Sequence, residues 1–250
     1  MYFRATVATL AALALGLSAC GKSTDGAAGT GATSSAPLPK IAAPAGKSWA
    51  DIVTVTPEGG YLMGNPDAPI KLIEFGALSC SHCAEFSQQS FTKMRDDYVA
   101  SGRVSFELRL FMLNALDIPA AMLATCGSPE SVIPLSEQFW AWQTTMFANL
   151  QAAGDARLQA AGGLAPNQRY AAIANVAGMD TFFAERGIAA DQAAACLADV
   201  GKATTLSNQT QQANEKYQVS GTPTFYLNGK NLNTATWETV EPLLQTAGAR

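Results

Sequence analysis

Residues 70–75, Ile-Lys-Leu-Ile-Glu-Phe, form a nearly continuous apolar run, the pattern of a strand covered on both faces. Beyond residues 76–79 the period changes, and Ala84, Phe91, Met94 and Tyr98 recur at helical spacing. A strand is therefore expected to turn into a helix at about residue 80. Residues 104–110, Val-Ser-Phe-Glu-Leu-Arg-Leu, alternate as a strand does. From 119 to about 212 the composition shifts to Ala, Gln and Leu, which predicts helices. Turn signals stand at Gly127-Ser128-Pro129 and Gly162-Gly163, and Pro166 suits the first position of a helix. Phe139, Trp140 and Trp142 in this stretch read as helical core rather than as a ligand-binding box.

The first residues have a different character. A short positive segment at 1–4 precedes an apolar run at 5–19 that ends on Cys20. Such a run is too short to cross a bilayer core of about 30 Å comfortably, so it reads as a signal peptide. Residues 17–20, Leu-Ser-Ala-Cys, resemble a bacterial lipobox, which implies that Cys20 is lipidated and begins the mature chain. An ordinary secretory peptide is the alternative. Residues 20–48 are rich in Gly, Ala, Ser, Thr and Pro and predict a flexible tether, with folded structure from about Trp49.

The 250 residues leave room for one large domain, or for one domain carrying an insertion. Hydrophobic residues make up 48%, enough for a substantial core, and a net charge of -4 gives no broad basic surface for nucleic acid. His82 is the single histidine, which excludes centres built on several imidazoles. Setting Cys20 aside, four of the five cysteines remain: Cys80, Cys83, Cys126 and Cys196. An even number in an exported chain, with no second CxxC to complete a zinc ribbon, reads most economically as two disulfide-capable pairs. For Cys126 and Cys196 a structural bridge, two buried thiols or a second redox centre all remain open.

Cys80-Ser81-His82-Cys83 falls at the expected strand-to-helix turn, with Ser79 as a candidate N-cap. At a helix start, unsatisfied N–H groups and the dipole favour a thiolate, and a protonated His82 would add a positive charge. An inert staple is the weaker reading, because so small a loop removes little unfolded-chain entropy. Preceded by Gly64-Asn65-Pro66-Asp67-Ala68-Pro69 and Glu74-Phe75, and followed far downstream by Gly221-Thr222-Pro223-Thr224-Phe225, the motif resembles the DsbA family of thiol:disulfide oxidoreductases.

The resemblance covers residue 49 onward and implies an α/β thioredoxin fold with an inserted all-helical domain at about 117–203. It makes Cys80 the nucleophile, Cys83 the buried resolving thiol and His82 the tuning residue of the dipeptide. Glu74 would be a buried acid that relays the Cys83 proton. Thr222 and a cis Pro223 would bind an extended client segment. It further implies exported cysteine-containing clients, reoxidation by a membrane quinone-linked thiol oxidase of the DsbB type, and no cofactor beyond the cysteine pair. With the lipobox, it places the protein as a monomer in the bacterial envelope, facing the periplasm and held by a lipid anchor. Ser-His in the dipeptide and Thr before the proline keep an isomerase or reductase of the same fold as the alternative. A Cu(I)- or Zn(II)-binding envelope lipoprotein is the more distant one.

Overall fold

The computed structural model describes residues 36–250; the expected signal peptide, Cys20 and the first part of the tether lie outside the described residues. Among the described residues six strands form one mixed sheet: β1 (Val53–Val55), β2 (Tyr61–Gly64), β3 (Ile70–Gly76), β4 (Val104–Leu110), β5 (Thr224–Leu227) and β6 (Lys230–Asn231). Their order is β1-β2-β4-β3-β5-β6, with β3 and β4 parallel and the other neighbours antiparallel. β3 is the apolar run of the sequence, and α1 (Ser81–Lys93) leaves it through a short loop. The helical spacing that continues to Tyr98 is realised as a wider π-helical turn, Met94–Val99.

β4 is more buried than its alternation suggests. Ser105, Glu107 and Arg109 point to a face that is covered, and Ser105 and Glu107 are buried. Arg109 pairs with Glu107 at 2.7 Å and lies over the rings of Phe75 and Tyr217. Tyr217 ends α8 (Val200–Tyr217), so this helix shields the polar side of the sheet. On the opposite face Phe86 of α1 packs on Phe225 with centroids 4.3 Å apart, and its edge meets Trp237 of the last helix, Trp237–Thr246.

Between β4 and β5 lie seven helices among the described residues. α2 is Asp117–Ala124, α3 Pro129–Ala153, α4 Asp155–Gly162, α5 Pro166–Ala177, α6 Met179–Ala184 and α7 Ala190–Ala198; α8 then returns to the sheet. The expected limits of the insertion, 117 and 203, meet the start of α2 and the interior of α8. Pro129 and Pro166 each open a helix, where a missing N–H costs nothing. Phe139 packs against Phe182 and Phe183, and Phe139 and Trp140 are almost wholly buried.

The tether docks earlier than its composition predicts. Leu38 N–H donates to Gly248 O, Ile41 N–H to Ser101 O, and Trp49 Nε1 to Ile41 O. Leu38 also packs against the core, so local polarity is overridden by a few main-chain bonds and one apolar contact.

Cys126 and Cys196 are bridged, joining the end of α2 to α7 across 70 residues. Loop closure of that length corresponds to about 4 kcal/mol. Replacing both by serine is expected to lower the denaturant-unfolding free energy by that order. A loss under about 1 kcal/mol would contradict a stabilising bridge.

Candidate active site

The loop between β3 and α1 places the two thiols by anchoring its own backbone. Ser79 does not cap the helix as its type suggests: its N–H and Oγ both donate to the Asp117 carboxylate, at 2.8 and 3.0 Å. Asp117 is fully buried at the start of α2 and also accepts from Asn114 N–H. With Ser79 so engaged, Cys80 itself is the N-cap, its sulfur accepting from Cys83 N–H at 3.2 Å. The helical insertion holds the other carbonyls. Trp140 Nε1 donates to Ala77 O, and Gln143 Nε2 donates to Leu78 O and Cys80 O.

Across from this loop the Thr222–Pro223 bond is cis, and the Cys80 thiol donates to Thr222 O at 3.2 Å. The Thr222 hydroxyl is buried without a hydrogen-bond partner. The Cys80 thiol is lowered to about 6. Donation from the Cys83 thiol is the main cause, followed by the Thr222 side chain and by the backbone N–H groups of Cys83 and His82, all acting against burial. Cys83 is completely buried and pushed well above its usual value, by desolvation first and then by its bond to Cys80 and the charge of Glu74. Both cysteines are free in this structure.

The remaining candidates take distinct places. Glu74 is 1% exposed beneath the thiols, its Oε1 has no hydrogen-bond partner, and burial raises its carboxyl well above the usual range. The His82 side chain stands in solvent, Nδ1 3.7 Å from Glu85, and its backbone N–H is the part that reaches toward the sulfur. Among the described residues no group of three or more His, Cys, Asp or Glu could hold a metal ion. Asp117, Gln143 and Glu137 were not singled out by the sequence. They come to the site from helices far along the chain, and no local motif marks them.

The family model described as Thioredoxin matches residues 56–246. A Rickettsia conorii relative, provisionally named a protein-disulfide oxidoreductase, is 22% identical over 76% of this chain and 61% of its own length. Disulfide bond formation protein D of Bacillus subtilis is 28% identical over 36% of this chain and 39% of its own. The alignments span less than two thirds of these relatives. Among solved structures, a protein-disulfide isomerase from Novosphingobium aromaticivorans superposes with TM-score 0.70 at 29% identity, covering 73% of this chain and 94% of that one. Alpha-DsbA1 of Wolbachia pipientis shares the fold, with TM-score 0.59 at 18% identity over 81% and 98% of the two chains. A span that holds the CxxC loop, the helical insertion and the cis-proline loop together makes this chain a member of the thioredoxin family, built on the fold of the DsbA proteins.

Proposed function

We propose that this chain is a thiol:disulfide oxidoreductase that donates the Cys80–Cys83 disulfide to exported cysteine-containing proteins. The observation that carries the reading is the asymmetry of the pair. The outer thiol is lowered to about 6 and the inner one is driven up, so the reduced form holds one stable thiolate at neutral pH. Stabilising the reduced form makes the disulfide more oxidising. At pH 7, lowering a thiol from 9.0 to about 6 favours the reduced state by about 1.4 kcal/mol, or about 30 mV.

In the reaction a client thiolate attacks Cys80 Sγ, and the Cys80–Cys83 bond breaks with its electron pair on Cys83. Cys83 takes up a proton, and Glu74 is the buried acid beside it. A second client thiolate then attacks the client sulfur of the mixed disulfide and expels the Cys80 thiolate. The client is oxidised by two electrons and the CxxC reduced by two. Open grooves flank the cis-proline loop, one along Pro223, Thr224 and Asn233, the other along Met112, Leu113 and Val219, and they offer room for an extended client segment.

No cofactor enters this scheme, because the cysteine pair carries both electrons. Reoxidation falls to a membrane thiol oxidase of the DsbB type. The lipobox-like residues 17–20 support a lipid on Cys20 that would hold the protein to the envelope, facing the periplasm, and a monomer is the expected state. No helix of the described residues is long and apolar enough to cross a membrane. Against Cu(I) or Zn(II) binding stands the exposed His82 ring, which sits beside Glu85.

The test is the reduction potential as a function of pH, measured by equilibration with glutathione. Above about pH 6 reduction takes up one proton per two electrons, and below it two. The slope should therefore steepen from about 30 to about 59 mV per pH unit as pH falls through that value. The potential at pH 7 should lie above the roughly -270 mV of thioredoxin. A potential at or below that value would turn the reading toward a reductase.

A further inference from the structure

Glu74 lies under the thiols with no basic partner. None of the salt bridges among the described residues reaches it or Glu137. β4 and β5 set Leu108 and Phe225 opposite it in register, both apolar and buried. The ionisable groups acting on it are Glu137 of α3 and Cys80, and its own charge acts on Cys83. Glu137 accepts a close hydrogen bond from Ser87 Oγ, one turn beyond Cys83 on α1. Three residues after Glu137, the Trp140 ring packs into the same spot as the Glu74 carboxylate. A Cβ built on Gly76 would meet Glu74 Oε1 at 3.1 Å and Trp140 Cζ2 at 3.2 Å. The Trp140 ring thus brings the helix that carries Glu137 to the neighbourhood of the buried acid, and Glu137 itself retains partial exposure while Glu74 has almost none.

We propose that Glu137 is the solvent-side half of a two-carboxyl relay, exchanging with Glu74 the proton that Cys83 gains and loses. The inference rests on the exchange chemistry proposed above and names a further residue for it. When Cys83 leaves as a thiolate, the Glu74 carboxyl protonates it, and Glu137 returns a proton to Glu74. When Cys83–SH must attack a mixed disulfide at Cys80, Glu74 takes the thiol proton. The new S–S bond expels the partner's thiolate, and the proton passes outward to Glu137. Both carboxyls are raised, Glu137 to about 8 by burial against the Ser87 bond, so the pair still carries protons to donate at neutral pH and gives up the first of them near 8. Two like charges that act on each other in a buried site cannot both form readily, which keeps the second site protonated as the first ionises.

Stopped-flow reaction of the reduced protein with dithiobis-nitrobenzoate separates the two steps. Cys80 releases one thionitrobenzoate bimolecularly, and Cys83 then expels the second in a first-order phase. In Glu137→Gln the like charge is gone, so Glu74 ionises at lower pH and is a weaker base. The acid limb of the second phase should move to lower pH and its plateau fall about tenfold, a part of the roughly 10²–10⁴-fold that positioned proton transfer contributes. Ser87→Ala keeps both carboxyls and removes the bond that lowers Glu137, so Glu137 ionises later and presses less on Glu74; its acid limb should also move to lower pH, while its plateau is kept. A limb shift in both variants with the plateau lost only in Glu137→Gln is not the signature of loosened packing, and an unchanged first phase reports an intact Cys80 site. Wild-type acid limbs in both variants would overturn the relay alone. A wild-type protein that never shows the second phase would overturn the exchange chemistry and the relay with it.

Discussion

Cys80→Ser is expected to reduce disulfide transfer to background, the largest functional effect any single change in this chain should have. Serine at the helix start keeps the N-cap oxygen but cannot form the mixed disulfide through which every turnover passes. Cys83→Ser should behave differently. Cys80 can still attack, but the resolving sulfur is gone, so client proteins accumulate on Cys80 and appear as mass-shifted adducts that a reductant releases. Adduct formation through residue 83 with serine at 80 would reverse the assignment of the two sulfurs.

The largest effect of any single substitution on stability is expected at Trp140. Its side chain is 1% exposed, its ring packs beside Gly76 and its Nε1 holds Ala77 O. Trp140→Ala removes the ring, leaves a cavity between α3 and the catalytic loop, and unpairs a buried carbonyl, so a loss of about 3–5 kcal/mol is expected in urea unfolding. Trp140→Phe keeps most of the packing and should cost about 1–2 kcal/mol. An alanine variant within 1 kcal/mol of wild type would show that the insertion does not support the loop.

The strand, the CxxC turn and α1 were legible in the sequence because their signals are local. An apolar run, a change of period and a four-residue motif fall within thirty positions. The partnership of that motif with Thr222 and Pro223, about 140 residues on, was legible only through family resemblance. The cap shows where local reasoning stops. Ser79 and Cys80 can both cap a helix, and the choice was made by Asp117, a tertiary partner 38 residues away. The polar positions of β4 give the same lesson, since their alternation carries no sign that α8 would cover them. His82 was expected to act through its ring, yet the turn directs the ring to solvent and leaves its N–H facing the sulfur. Glu137 had no marker at all. A single glutamate in an Ala- and Gln-rich helical stretch becomes notable only when packing brings it to Glu74.

Oxidation through this site requires that one thiol of the pair is a thiolate at neutral pH and that it belongs to Cys80. Thiolate absorbance of the reduced protein, titrated across pH 4 to 10 beside Cys80→Ser, measures this directly. The expected result is one ionisation at about 6 in the wild type, absent from Cys80→Ser, with Cys83 still protonated well beyond it. A first ionisation near the ordinary thiol value, or one at about 6 that survives in Cys80→Ser, would contradict it.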